Sequence, residues 1–219
     1  MSRRRFIVAD DHPLFREALK QTLQGFLPDS GIRMAGSFDQ VVTELESGED
    51  FDLVLLDLKM PGAQGLSGLV FLRAQFPNVP VAIVSANDDP AVMRRALALG
   101  ASGFVPKSSP AGGMREALEA MLEGRVWMPP DLDLEEGHDG ETEDLARRLM
   151  TLTPQQMRVL MLLREGMLNK QIAFSLSVSE ATVKAHVSAI LQKLNVDSRT
   201  QAVIAAGKLD GDMQAALPN

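Results

Sequence analysis

Five short apolar runs alternate with helix-spaced segments over the first ~125 residues, and this alternation limits the fold more than any other feature. The runs fall at residues 5–9, 32–37, 53–57, 80–85 and 103–105. A continuous apolar run bounded by turn residues reads as a strand buried on both faces, as in a parallel sheet. Between the runs, apolar residues recur at helical spacing over about 13–27, 41–45, 66–76, 91–99 and 114–122. Leu14, Phe15, Ala18, Leu19 and Leu23 form one such stripe. Gly100 supplies a C-terminal cap. Five units of this spacing predict an α/β fold, an open, doubly wound parallel sheet with helices on both faces.

The second feature is where acids stand on the runs. Phe51-Asp52-Leu53-Val54-Leu55-Leu56-Asp57 ends on Asp57, with a turn at once in Leu58-Lys59-Met60-Pro61-Gly62. Phe6-Ile7-Val8-Ala9 ends on Asp10-Asp11. Open parallel sheets place their chemistry outside the carboxyl ends of the strands. With the first and third strands adjacent, three carboxylates meet at one edge. The fourth run ends on Ser85, and Lys107 follows the fifth. Clustered carboxylates repel unless a cation neutralises them. The ligands on offer are hard oxygens, which points to Mg²⁺. The cation and the Lys107 ammonium would together stabilise a phosphoryl group on a nucleophilic Asp57. Ser85 would donate a hydrogen bond to it. Singly, each residue fits a plainer role: Asp10-Asp11 as a helix cap, Asp57 and Ser85 in turns, Lys107 on a solvated loop. Their shared position at successive strand ends favours the site.

The last third of the chain differs. Residues 1–150 hold 15 Lys and Arg against 24 Asp and Glu, a net of −9. Residues 151–211 hold 7 against 4, a net of +3, and show no strand pattern. An acidic front and a basic back imply two domains with different partners, the basic one a nucleic-acid candidate. Between them, 129–150 opens on Pro129-Pro130 and is rich in Asp, Glu and Gly. It reads as an extended linker whose end, 145–150, forms a helical turn. Cysteine is absent, which excludes disulfides and thiolate chemistry. No apolar run approaches the ~18 residues of a membrane span. The expectation is a cytoplasmic protein that does not engage a membrane.

Four helices are expected in the basic part. Thr153, Pro154 and Gln156 spell a capping box with proline at the first helical position. Two later helices, about 170–176 and 180–194, flank the turn Ser177-Val178-Ser179 as a helix-turn-helix. Lys184, Ala185, Ser188 and Gln192 lie away from the apolar stripe, where small residues let a helix sit deep in a major groove. Thr182 and the helix N-terminus suit a phosphate. Lys170 and Val183 complete the candidate DNA-binding set. The plainer alternative is a helical bundle with a charged, solvated face.

Asp10-Asp11, Asp57-Leu58-Lys59-Met60-Pro61 with Gly65, Ser85-Ala86, Phe104 and Lys107 resemble the receiver domain of bacterial two-component response regulators, over about 4–123. Leu152-Thr153-Pro154, Gly166, Asn169-Lys170, Ile172-Ala173, Leu176, Ser179, Thr182-Val183-Lys184, His186-Val187, Lys193-Leu194 and Arg199 resemble a LuxR-type helix-turn-helix domain, over about 151–211. Together, with an acidic linker at 124–150, they are similar to the NarL/FixJ family. The resemblance implies a flavodoxin-like strand order, 2-1-3-4-5. It implies a phosphoacceptor Asp57, served by a sensor histidine kinase, and Mg²⁺ held by Asp11, Asp57 and the Lys59 backbone carbonyl, with Asp10 partly through water. It implies a switch pair, Ser85 and Phe104, and binding to double-stranded promoter DNA as a homodimer through the last helix, about 198–209. Gln156 and Gln171 stand where the family often has glutamate, which puts internal ion pairs in question. Lys59 beside the acceptor predicts a phosphorylated state lasting minutes or more. The expected protein is a regulator and not an enzyme. Two other readings stay open. One is an aspartyl-phosphate phosphatase, although Lys59 stands where such enzymes have a general acid. The other is a DNA-binding protein with a vestigial receiver.

Overall fold

A computed structural model describes residues 3–132 and 140–208. The chain divides into two compact units, Met1–His138 and Asp139–Asn219.

The first unit is the expected open α/β sheet. Its elements run β1 (Arg5–Ala9), α1 (Pro13–Phe26), β2 (Gly31–Ala35), α2 (Phe38–Glu46), β3 (Leu53–Leu56), β4 (Lys59–Met60), β5 (Ala63–Gln64), α3 (Ser67–Gln75), β6 (Val81–Ser85), α4 (Pro90–Ala98), β7 (Gly103–Pro106) and α5 (Ala111–Leu122). Five strands pair in parallel, in the order β2-β1-β3-β6-β7. This is the 2-1-3-4-5 order, once the unforeseen hairpin β4–β5 after Asp57 is set aside. Apart from Arg5 at the start of β1 and Ser85 at the end of β6, the central strands carry only apolar side chains because both faces are covered: β1 from Phe6 onward, all of β3 and all of β6 are buried. Phe6, Val8, Leu53, Leu55, Ala82 and Val84 pack with Leu19 and Leu23 of α1 and with Leu118 of α5 on one face.

Register fixes the functional edge. Ala9 pairs with Leu56, Leu56 with Ile83, and Ser85 with Pro106. Asp10 and Asp57, each the next residue after the Ala9–Leu56 pair, leave the sheet at the same level. Ile83, opposite Leu56, pairs with Phe104, so Lys107 stands two residues beyond that level, an offset its long side chain spans to reach both carboxylates.

Residues 124–150 depart from the linker reading at both ends. The Trp127 N–H donates to the Ser102 carbonyl at 3.1 Å, and the Phe104 N–H donates to the Trp127 carbonyl at 3.1 Å. The chain therefore stays on β7 through Trp127. At the other end, Gly140–Met150 is an eleven-residue helix, α6, of the second unit. Leu145 and Leu149, four apart, are buried on it. The Arg148 guanidinium donates to the Leu194 carbonyl at 3.0 Å, and Asp144 pairs with Arg148 at 2.5 Å. Two apolar residues among many acids hid this one-sided stripe from a composition argument. Residues 133–139 and 209–219, with the end of the expected last helix, lie outside the described residues.

The second unit continues with α7 (Pro154–Arg164), α8 (Asn169–Ser175), α9 (Glu180–Leu194) and α10 (Arg199–Lys208). The capping box is present: the Gln156 N–H donates to Thr153 Oγ1 at 3.3 Å, and the Thr153 N–H donates to Gln156 Oε1 at 2.9 Å. The two glutamines keep the contacts that glutamates would make. Lys193 Nζ donates to Gln156 Oε1 at 2.9 Å, and the Leu168 N–H donates to Gln171 Oε1 at 2.7 Å. The turn between α8 and α9 is tight because Ser177 takes a left-handed conformation, φ 54°. Ser179 Oγ then accepts from the Thr182 N–H at 3.0 Å to cap α9.

Candidate functional site

Three carboxylates and one ammonium meet at the carboxyl ends of β1, β3 and β7. Asp10 and Asp57 are buried, whereas Asp11 reaches solvent. Lys107 Nζ bridges Asp10 Oδ2 at 2.6 Å and Asp57 Oδ2 at 2.9 Å. Its own position is fixed by its N–H, which donates to the Ser85 carbonyl at 2.7 Å. Ligand atoms of Asp10, Asp11, His12 and Asp57 lie within 4.8 Å of one another.

Two members were missed from sequence. His12 reads as a neighbour of a helix-starting proline, yet its Nδ1 lies 2.6 Å from Asp11 Oδ1, and its N–H donates to Asp10 Oδ1 at 2.8 Å. Phe15 reads as core, yet its ring lies 4.7 Å from Lys107 Nζ, a cation–π contact that helps aim the ammonium. Adjacency to Asp11 was the available signal for His12. Nothing in the spacing marked Phe15.

Burial pushes the Asp57 carboxyl above its ordinary value of 3.8, and the Asp10 charge adds to this. The hydrogen bond and charge of Lys107, and the Lys59 N–H, oppose it. For Lys107, burial pulls the ammonium down, but its hydrogen bonds to Asp10 and Asp57 outweigh this and raise it above 10.5. The folded protein thus holds this proton more tightly than the unfolded chain does. The pairing contributes its full stability below pH 10.5 and loses it as pH rises through the raised value. In Mg²⁺-free buffer, the melting temperature above that pH is expected to fall more steeply for wild type than for Lys107→Met. Parallel alkaline slopes would contradict this.

Three carboxylates against one lysine leave an excess of negative charge around hard oxygen donors. The side chains therefore fit a divalent cation of the Mg²⁺ class. Asp10, Asp11 and Asp57 are the donors on hand. Lys59 stands in β4, two residues past Asp57, and its side chain is exposed.

Ser85 and Phe104 are placed differently from each other. Ser85 Oγ is buried and accepts from the Asn87 N–H at 3.1 Å. Phe104 is fully buried, so its ring already points inward. The outward-facing starting state of a switch aromatic is not the one seen, and the arrangement matches the plain core role as well.

In the second unit, Val183 is fully buried under the neighbouring helices. It belongs to the core with Ile190 and Leu194 and cannot touch DNA, which corrects its place in the candidate set. The reason is period: Val183, Ile190 and Leu194 share the inward stripe of α9. Lys184, Ala185, Ser188 and Gln192 are exposed, as are Lys170 and Thr182. Thr182 Oγ1 lies 2.8 Å from Ser179 Oγ, so its hydroxyl is already engaged in the cap. Lys184 pairs with Glu180 at 3.3 Å on the open face of α9. Such an exposed pair adds little stability and yields readily to a phosphate or base.

Comparison with known proteins agrees with this geometry. Residues 6–119 match the response regulator receiver domain family. Residues 150–206 match the bacterial regulatory proteins of the luxR family. A glycerol metabolism activator of Pseudomonas putida is 43% identical over 212 residues, covering 94% of this chain and 96% of that protein. The nitrate/nitrite response regulator protein NarL of Escherichia coli (strain K12) is 31% identical over 200 residues, covering 90% and 92%. Among solved structures, RcsB from Salmonella typhimurium superposes with a TM-score of 0.57 at 23% identity, covering 93% of this chain and 98% of that one. RcsB from Salmonella enterica serovar Typhimurium bound to promoter rprA, in the presence of a phosphomimetic, gives 0.55 at 22%, covering 94% and 99%. At these identities the two structures speak for the fold alone. No helix among the described residues is long and apolar enough to cross a membrane. The chain belongs to the NarL/FixJ family of two-component response regulators, DNA-binding transcription regulators that join a receiver domain to a LuxR-type helix-turn-helix domain.

Proposed function

We propose that Mg²⁺-dependent phosphorylation of Asp57 by a sensor histidine kinase switches this regulator. The observation that carries the reading is Lys107 Nζ, bridging two buried carboxylates at 2.6 and 2.9 Å beside an exposed third. A carboxylate oxygen of Asp57 attacks phosphorus as the bond to the donor breaks, giving an acyl phosphate. Asp11, Asp57 and the Lys59 carbonyl, with Asp10 partly through water, would hold Mg²⁺, which would supply charge neutralisation for the phosphoryl oxygens. Lys107 turns its ammonium from the carboxylates to one phosphoryl oxygen. Ser85 redirects its hydroxyl to another. Asp10, buried and 2.6 Å from Lys107 Nζ, is one of the two carboxylates from which the ammonium departs. Lys59, exposed two residues past Asp57, hinders water and prolongs the acyl phosphate to minutes or more.

The output is a change in DNA affinity. Unphosphorylated protein keeps the recognition surface masked; phosphorylation exposes it and favours a homodimer on two half-sites, with α10 as the dimer contact. Equal DNA affinity of a 140–211 fragment, which keeps α6, and the intact unphosphorylated protein would refute masking. Lys170, Thr182, Lys184, Ala185, Ser188 and Gln192 form the DNA face. The Pseudomonas putida relative bears the name of a metabolic activator, and activation of a carbon-source gene set is the output we would test first. The cell compartment is the cytoplasm.

Phosphotransfer labelling tests the acceptor: label in wild type and none in Asp57→Ala. For the DNA face, Lys184→Ala is expected to weaken promoter binding about tenfold or more, with helix content unchanged. Unaltered affinity by titration at fixed salt would remove α9 from the interface.

A further inference from the structure

The residues after α5 do more than leave the receiver. β7 is an edge strand of the sheet, whose outer backbone groups would otherwise be open. Residues 125–128 cover part of that edge. The Trp127 N–H and carbonyl bond to the Ser102 carbonyl and the Phe104 N–H, each at 3.1 Å, and Gly103 faces Trp127 as a parallel bridge. The Trp127 side chain packs on the core cluster that holds Val105, Leu118 and Met121. Room for this approach exists because residue 103 has no side chain: a Cβ there would stand 2.6 Å from Met121 Sδ and 2.9 Å from the Trp127 carbonyl. Three residues beyond Phe104, the same stretch of chain delivers Lys107 to the pocket.

We infer that Trp127 and its neighbours are a strap through which the state of the pocket reaches the linker. The inference rests on phosphorylation at Asp57. When Lys107 leaves Asp10 and Asp57 for a phosphoryl oxygen, the Pro106–Lys107 end of β7 follows. β7 has only four residues, Gly103–Pro106. A shift at one end alters the two backbone bonds that hold Trp127 at the other. The strap then loosens, and residues 125–128 gain freedom at the edge of the sheet. A tie through two amides and one ring is a local element of modest stability, the kind that opens independently of the sheet.

The chain has one tryptophan, Trp127, so its emission reports this strap alone. The test uses full-length protein with an acyl-phosphate donor and Mg²⁺. Phosphoryl incorporation is followed by intact mass, Trp127 emission by fluorescence, and the Phe104 and Trp127 amides by hydrogen exchange. The expected result is an emission shift in step with incorporation, and a loss of protection at both amides of about tenfold or more, with β1 and β3 amides unchanged. Asp57→Ala shows neither. Gly103→Ala, which displaces the strap sterically, is expected to emit like the phosphorylated protein before any donor is added. Incorporation with unchanged emission and protection overturns the strap while leaving the acceptor reading intact. Absence of incorporation overturns that reading and the strap's role with it. Because the wild-type exchange experiment needs no variant, a poorly folding Gly103→Ala does not shield the inference.

Discussion

Asp57→Ala is expected to abolish phosphoryl incorporation and the donor-dependent rise in promoter affinity. The acceptor rate should fall by more than about 100-fold, because the nucleophile itself is gone. Asp10 is a poor substitute, being buried and tied to Lys107 at 2.6 Å. Asp11 is solvated and engaged by His12 at 2.6 Å. The variant should nevertheless fold. Burial and the Asp10 charge both disfavour the Asp57 carboxylate, and Lys107 keeps Asp10 as a partner after the change. Stability is therefore expected to stay within about 1 kcal/mol of wild type or to rise. Intact mass after exposure to an acyl-phosphate donor reads the first effect and urea melts the second. Retained incorporation would move the acceptor to another residue.

Lys107→Met is expected to show the second large effect, in a form that separates chemistry from signalling. It removes the one ammonium that faces Asp10 and Asp57, so two buried carboxylates lose their partner. Breaking a buried pair from one side costs about 3–5 kcal/mol, and the 14% exposed lysine side chain places this one toward the lower end. In Mg²⁺-free buffer the loss should appear in full. Excess Mg²⁺ should restore part of it, because a divalent cation answers the same negative charge. Asp57 remains a nucleophile, so phosphoryl still accumulates with Mg²⁺ present. The rise in DNA affinity should shrink about tenfold or more, since no ammonium leaves the carboxylates to move β7. A loss of stability indifferent to Mg²⁺, together with a full DNA response, would contradict the role given to Lys107.

Much of this site was legible in the sequence because parallel strands make position meaningful. An apolar run that ends on an acid puts that acid at the active edge, and the pairing of Ala9 with Leu56 makes Asp10 and Asp57 neighbours. No comparable rule exposes His12 or Phe15. Their roles come from how α1 leaves β1, which spacing does not encode. The linker misled for a related reason. Charge density along 129–150 says that little can be buried, while Leu145 and Leu149 need only one narrow stripe. Trp127 likewise stands after Arg125-Val126 with no strand pattern of its own, and pairs because β7 has an open edge and Gly103 has no side chain. Val183 shows the opposite error. A motif places it among the groove-facing residues, and helical period places it inside.

Mass mapping of the phosphorylated full-length protein, combined with promoter titration of the same sample, tests the central claim most directly. The account predicts a labile acyl phosphate on Asp57, formed only with a divalent cation, and a promoter affinity that rises with its occupancy. A phosphoryl group on any other residue, or full occupancy of Asp57 with promoter affinity unchanged, would contradict it.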